Sequence, residues 1–111
     1  MLNRTLSAAA ILLATLVALP AAADIKTYNI ELKDGQLTPK TLNVAAGERF
    51  KLQVQNNGQA PAEFESKRLR QEKILVPGAN WAVVIKPLKA GEYDYFDEFN
   101  LPEAQGTLIA E

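Results

Sequence analysis

The chain has no cysteine and no histidine. Without cysteine there can be no disulfide and no thiolate ligand, so packing alone must hold the fold. Without either residue, Cys–His nucleophile pairs, serine triads, the usual zinc sites and histidine acid–base chemistry are all excluded. The single methionine is Met1, which is lost if the leader is removed, leaving no thioether ligand. Any metal would therefore be held by oxygen. No glycine-rich phosphate loop, internal repeat or low-complexity segment is present, and no apolar run is long enough to span a bilayer.

The first residues read as a cleavable signal peptide. Arg4 gives a positive start, residues 6–19 form an apolar run, and Pro20 with Ala21, Ala22 and Ala23 supplies the cleavage region. An uncleaved N-terminal anchor is the alternative. Cleavage after Ala23 divides the chain into a signal peptide, 1–23, and one small domain, 24–111. Export in this way implies a periplasmic protein with no membrane insertion after cleavage. The mature chain is slightly acidic, which argues against nucleic acid or an anionic membrane as its main partner.

The domain reads as all-β. Ile30 and Leu32 alternate with Glu31 and Lys33 ahead of the turn pair Asp34-Gly35. Residues 37–44 carry Pro39, which marks an edge or an irregular connection. Phe50, Leu52 and Val54 alternate strictly with Lys51, Gln53 and Gln55, the clearest strand of the sequence. Residues 81–85, 92–96 and 106–110 supply further strands between Gly, Pro and Asn turns. This pattern predicts an antiparallel sandwich or barrel. The one candidate helix is a single turn over residues 66–71 with Ser66 as N-cap. Trp81, Tyr93 and Tyr95 read as core or rim aromatics.

Two acidic clusters stand out. Glu63 and Glu65 bracket Phe64, so in a strand they share one face with Phe64 opposite. Two like charges so placed raise each other's pKa unless a cation intervenes. Either Lys67, Arg68 or Arg70 neutralises them in a surface ion network, or they join Glu72 in an oxygen-rich metal site. The second cluster is residues 93–100, where Tyr93, Tyr95 and Asp97 share one face and Asp94, Phe96 and Glu98 the other. If the tyrosines face the core, Asp97 needs a partner there, either turn N–H groups or a cation.

The phrases LTPKTLNVAAGERFKLQVQNNGQAPAEFE, VPG and KAGEYDYFDEFNLPEAQGTLIA resemble a cupredoxin domain over nearly all of the mature chain. The resemblance implies a single cupredoxin-like Greek-key β-sandwich. It does not carry the blue-copper ligands with it. Ala62 or Glu63 stands where the first histidine belongs, Asp97 for the cysteine, Asn100 for the second histidine, and Glu103 or Ala104 for the methionine. A type-1 site needs the thiolate and two imidazoles. The segment EFESKRLRQEKILVPG is more specifically similar to EfeO-type and FtrB-like cupredoxins of bacterial iron uptake. That resemblance implies partners in an iron permease and a periplasmic metal-binding protein, with iron or a copper ion as the bound metal. It points to Glu63, Glu65, Glu72 and Asp97 as ligands, with Glu98 behind them. Carboxylates suit iron or Cu(II) better than Cu(I).

Two other classes stand beside this one. One is a metal-free interaction module that docks on a periplasmic or permease partner. The other is an enzyme, a ferroxidase, which would need a bound copper or a partner because the sequence supplies no redox centre. A metal site predicts that the four carboxylates converge at one end of the sandwich.

Overall fold

The computed structural model describes residues 25–111, so the expected signal peptide and its cleavage point lie outside the described residues. Nine strands form two facing sheets. They are β1 (Thr27–Lys33), β2 (Gln36–Thr38), β3 (Thr41–Val44), β4 (Phe50–Asn56), β5 (Ala62–Ser66), β6 (Gln71–Leu75), β7 (Asn80–Ile85), β8 (Gly91–Asp97) and β9 (Gln105–Ala110). The smaller sheet has the order β2-β1-β4-β7 and the larger β3-β9-β8-β5-β6. The architecture is the all-β sandwich expected.

Asp34 and Gly35 both have positive φ, 47° and 84°, as a tight two-residue hairpin between β1 and β2 requires. After β2 the chain passes Pro39 and enters the other sheet as the edge strand β3. It then returns as β4, which runs parallel to β1. The detour through the second sheet is why this pair is parallel, as is β3 with β9. The sandwich is thus not wholly antiparallel, a correction to the sequence reading.

Alternation sets the core. Phe50, Leu52 and Val54 of β4 meet Ile30 and Leu32 of β1 on the inner side, all nearly fully buried. Facing them are Phe64, Tyr93, Tyr95 and Leu108 of the larger sheet. Phe64 stands at the centre of this seam, 6.0 Å from the Trp81 ring across the layers and 6.1 Å from Tyr95 within its own. Burying side chains of this size contributes about 1.5–3 kcal/mol each, which lets the domain do without a disulfide.

Asn56 ends β4 inside the protein and is fully used there. Its Nδ2 donates to the carbonyls of Ala60 and Leu75, each at 2.9 Å, and its Oδ1 accepts from the Gly58 amide. Because Leu75 belongs to the other sheet, this one side chain ties the two layers together at the end that carries Asp97.

The stretch read as a charged run with a single helical turn is a hairpin. Residues 67–70 form a turn joining β5 to β6, with the Arg70 amide donating to the Lys67 carbonyl at 3.1 Å. Ser66 behaves as a cap only in part: its Oγ accepts from the Leu69 amide at 3.4 Å, but it donates to the Asp94 carbonyl of β8 at 2.7 Å. That bond fastens the strand to its neighbour, so a helix gains nothing here.

Candidate metal centre

The β5–β6 hairpin builds the acidic group. Its register sets Glu65 opposite Glu72 and Glu63 opposite Ile74. Phe64 points inward and is fully buried, so Glu63 and Glu65 project from the outer face, as alternation predicts. Glu72 reaches the same face from the partner strand. One carboxylate oxygen from each of Glu63, Glu65 and Glu72 lies within 4.8 Å of the others. Oxygens bound to one ion at about 2.0–2.6 Å are separated by no more than about 4–5 Å, so small side-chain shifts bring all three within reach of one cation.

The electrostatics follow from crowding. The Glu63 carboxyl is pushed up to about 7, first by a hydrogen bond shared with Glu72, then by loss of water, and further by the charges of Glu72, Glu65 and Glu98. No cation appears among the groups acting on it. Arg68, one of the expected neutralisers, turns away: its guanidinium donates to the Glu92 carbonyl and lies 4.4 Å from the centre of the Tyr93 ring. The crowding that raises Glu63 is the repulsion of like charges, which an ion placed among the three carboxylates would relieve.

Glu98 stands close enough to act on Glu63, on a 3-10 turn (Glu98–Asn100) that packs against β5. Asp97 does not join the group. It lies on the inner face with Tyr93 and Tyr95, 1% exposed, and its carboxylate is taken by the protein. Oδ1 accepts from the Glu63 amide at 3.0 Å and from the Phe99 amide at 3.1 Å, and Oδ2 accepts from Asn100 Nδ2 at 2.7 Å. Of the two partners open for Asp97, backbone capping is the one found. The four expected carboxylates thus separate into three that converge and one that braces the strand beneath them.

Three residues at the positions that the resemblance sets for blue-copper ligands, Ala62, Asp97 and Asn100, line a small cavity together with Asn56. They do not fit a type-1 copper ion. No thiolate or imidazole is there, and Asp97 and Asn100 are spent on each other. Beside the acidic group the sequence reading missed one feature, the exposed Ile74 next to Glu63. An isoleucine inside a charged run gives no signal until the hairpin register is known.

Residues 6–110 match the cupredoxin-like domain family. An uncharacterised protein of Rickettsia prowazekii (strain Madrid E) is 33% identical over 86 residues, covering 78% of this chain and 69% of that protein. Among solved structures, auracyanin A, a blue copper protein of Chloroflexus aurantiacus, superposes with a TM-score of 0.67 at 15% identity, covering 79% of this chain and 100% of that one. Reduced auracyanin from Roseiflexus castenholzii gives 0.64 at 12% identity, with 78% and 97% covered. At these identities the structural matches speak for the fold alone.

Proposed function

We propose, from the premise that this chain belongs to the cupredoxin-like domain family, that it is a periplasmic metal-binding accessory protein of an iron-uptake system. It binds iron or Cu(II) through Glu63, Glu65 and Glu72, without a type-1 copper site. The observation that carries this reading is the convergence of three carboxylate oxygens within 4.8 Å, with no cation among the groups that act on Glu63. Hard oxygen donors select iron or Cu(II) over Cu(I). The similarity of EFESKRLRQEKILVPG to iron-uptake cupredoxins supports the choice of cargo, and of an iron permease and a second periplasmic metal-binding protein as partners.

In this role the hairpin supplies three ligands from two adjacent strands, with the Glu63–Glu72 hydrogen bond giving way to the ion. Glu63 gives up its proton as the metal enters, so binding releases acid. The outer face leaves the ion open to solvent and to a partner, which suits delivery better than storage.

A second reading is a metal-free docking module. It is favoured by exposed Ile74, Val76, Phe99 and Leu101, from 43% to 61% accessible, on segments that border Ala62, Glu63 and Asp97. Thermal melting of the metal-free protein with Fe(II), Fe(III) and Cu(II) separates the two. A ligand that binds only the folded state raises the midpoint with concentration. No shift with any of the three ions would leave the docking module.

A further inference from the structure

The two sheets are unequal, and the smaller one stops a strand short. Phe64 of β5 packs against Trp81 of β7 across the layers, with ring centres 6.0 Å apart, so β5 lies over β7. β6 is the next and last strand of the larger sheet, whereas β7 already ends the smaller. β6 therefore reaches past the edge of β7, with no strand of the smaller sheet opposite it among the described residues. Lys73 records the gap. Its register opposite Phe64 turns its side chain to the inner side of the sheet, yet it is exposed, because no strand faces it there.

The edge of β7 that borders this gap is ready to pair. The Asn56 amide donates to the Ala79 carbonyl at 3.0 Å, and in an antiparallel ladder such bonds recur at every second residue. Trp81, Val83 and Ile85 therefore bond to β4, while the amides and carbonyls of Asn80, Ala82 and Val84 face away from it. A free edge of this kind is a template for another chain, and folded proteins blunt it with short strands or charges. The outer strands β2 and β3 have only three and four residues, and β6 carries Glu72 and Lys73. β7 has six residues and no charged one. Of the four outer strands it alone is left unblunted.

We propose that an extended acidic segment of a partner protein adds to β7 as a fifth strand of the smaller sheet, beneath β6. Main-chain bonds to Asn80, Ala82 and Val84 hold it, and charge selects it. Lys73 points into the gap, where it repels a basic strand and receives a carboxylate. At the far end of β7, the β5–β6 turn and residues 84–88 bound a cleft of about 230 Å3, lined by Arg68, Arg70 and Lys86 and by no acidic residue. The Arg68 guanidinium is held in place by the Glu92 carbonyl and the Tyr93 ring. Guanidinium groups pair with carboxylates through parallel N–H bonds, so the cleft receives the acidic end of the strand. A second copy of this domain is disfavoured, because the overhanging β6 strands of the two would meet before their β7 edges did. Glu63, Glu65 and Glu72 take no part, so this docking stands or falls separately from ion binding.

The test uses protein recovered after expression of the full chain and a synthetic peptide of about six residues that alternates glutamate with valine. Binding is read from the fluorescence of Trp81, the single tryptophan, and from hydrogen exchange of the backbone amides. Saturable binding is expected, weakening as salt is raised, with exchange slowed at Asn80, Ala82 and Val84. A peptide with lysine in place of glutamate should not bind. Neither should the acidic peptide with its amides N-methylated, which cannot complete the ladder. Lys73→Glu should weaken binding on the order of tenfold with little change in the melting midpoint. Ala82→Pro removes an outward amide, where an edge strand tolerates proline, and should abolish binding in a protein that stays folded. No binding of the acidic peptide, equal binding of the lysine or N-methylated peptide, binding that both variants keep, or unchanged exchange at the three amides would each overturn the proposal.

Discussion

The carboxylate of Asp97, on the inner face of β8, accepts a hydrogen bond from the backbone amide of Glu63 at 3.0 Å. The core and the acidic site are thereby joined at one atom. Oδ1 of Asp97 holds the strand from beneath, while the Glu63 side chain faces outward toward Glu65 and Glu72. The same oxygen caps the 3-10 turn that carries Glu98. A residue outside the three-carboxylate group thus sets the position of two glutamates that act on it.

Asp97→Ala should be strongly destabilising. It leaves the Glu63 and Phe99 amides and Asn100 Nδ2 without their acceptor in a buried place, at about 1–3 kcal/mol for each orphaned group. A total of about 3 kcal/mol lowers the melting midpoint by roughly 12–24 °C in a domain of this size. Asp97→Asn keeps the shape and one acceptor oxygen, and should lose less. A midpoint for Asp97→Ala within a few degrees of wild type would remove Asp97 from this role.

Stability should depend on pH in a defined direction. The Glu63 carboxyl rises from 4.5 in the unfolded chain to about 7 in the fold. Between these values the folded protein keeps a proton that the unfolded chain releases, so stability falls as pH rises through this window. The chain has no histidine, and no other side chain of ordinary pKa titrates near 7. The melting midpoint should therefore decline from pH 5 to pH 8 in the metal-free protein. Glu72→Gln, which removes the main cause of the shift, should flatten most of that decline. An equally steep profile in the variant would show that another group is responsible.

Gly106 offers a test of the core. A Cβ built there would lie 2.7 Å from the ring of Tyr95, a fully buried side chain whose hydroxyl donates to the Pro39 carbonyl. The ring cannot move without opening the contact with Phe64. Gly106→Ala should cost about 1–3 kcal/mol by overpacking, read as a lower urea midpoint with an unchanged slope.

Much of this arrangement is legible in the residues. The alternation of Phe50, Leu52 and Val54 defines the central strand, and the spacing of Glu63, Phe64 and Glu65 fixes which of them faces out. The same rule puts Asp97 with Tyr93 and Tyr95 on the inner face, and this parity is what separates it from the glutamates. Two things could not be read locally. β6 is an edge strand with Glu72, Lys73 and Ile74 all exposed and only Leu75 buried, so it carries no alternating pattern. Its register, which brings Glu72 to Glu65, depends on a turn with Arg70 in a left-handed conformation, and arginine is no signature of such a turn. The parallel pairing of β1 with β4 likewise arises from the route of the chain through the other sheet, a long-range choice.

The most direct test of the metal site is a calorimetric titration of the metal-free protein with Fe(II), Fe(III) and Cu(II), repeated with Glu65→Gln/Glu72→Gln. The account predicts saturable one-to-one binding of at least one ion, with proton release near pH 7. At 100 times its Kd that ion should stabilise the fold by about 2.7 kcal/mol, and the double variant should lose the binding while remaining folded. Equal binding by the folded double variant, or no binding of any of the three ions to wild type, would contradict it.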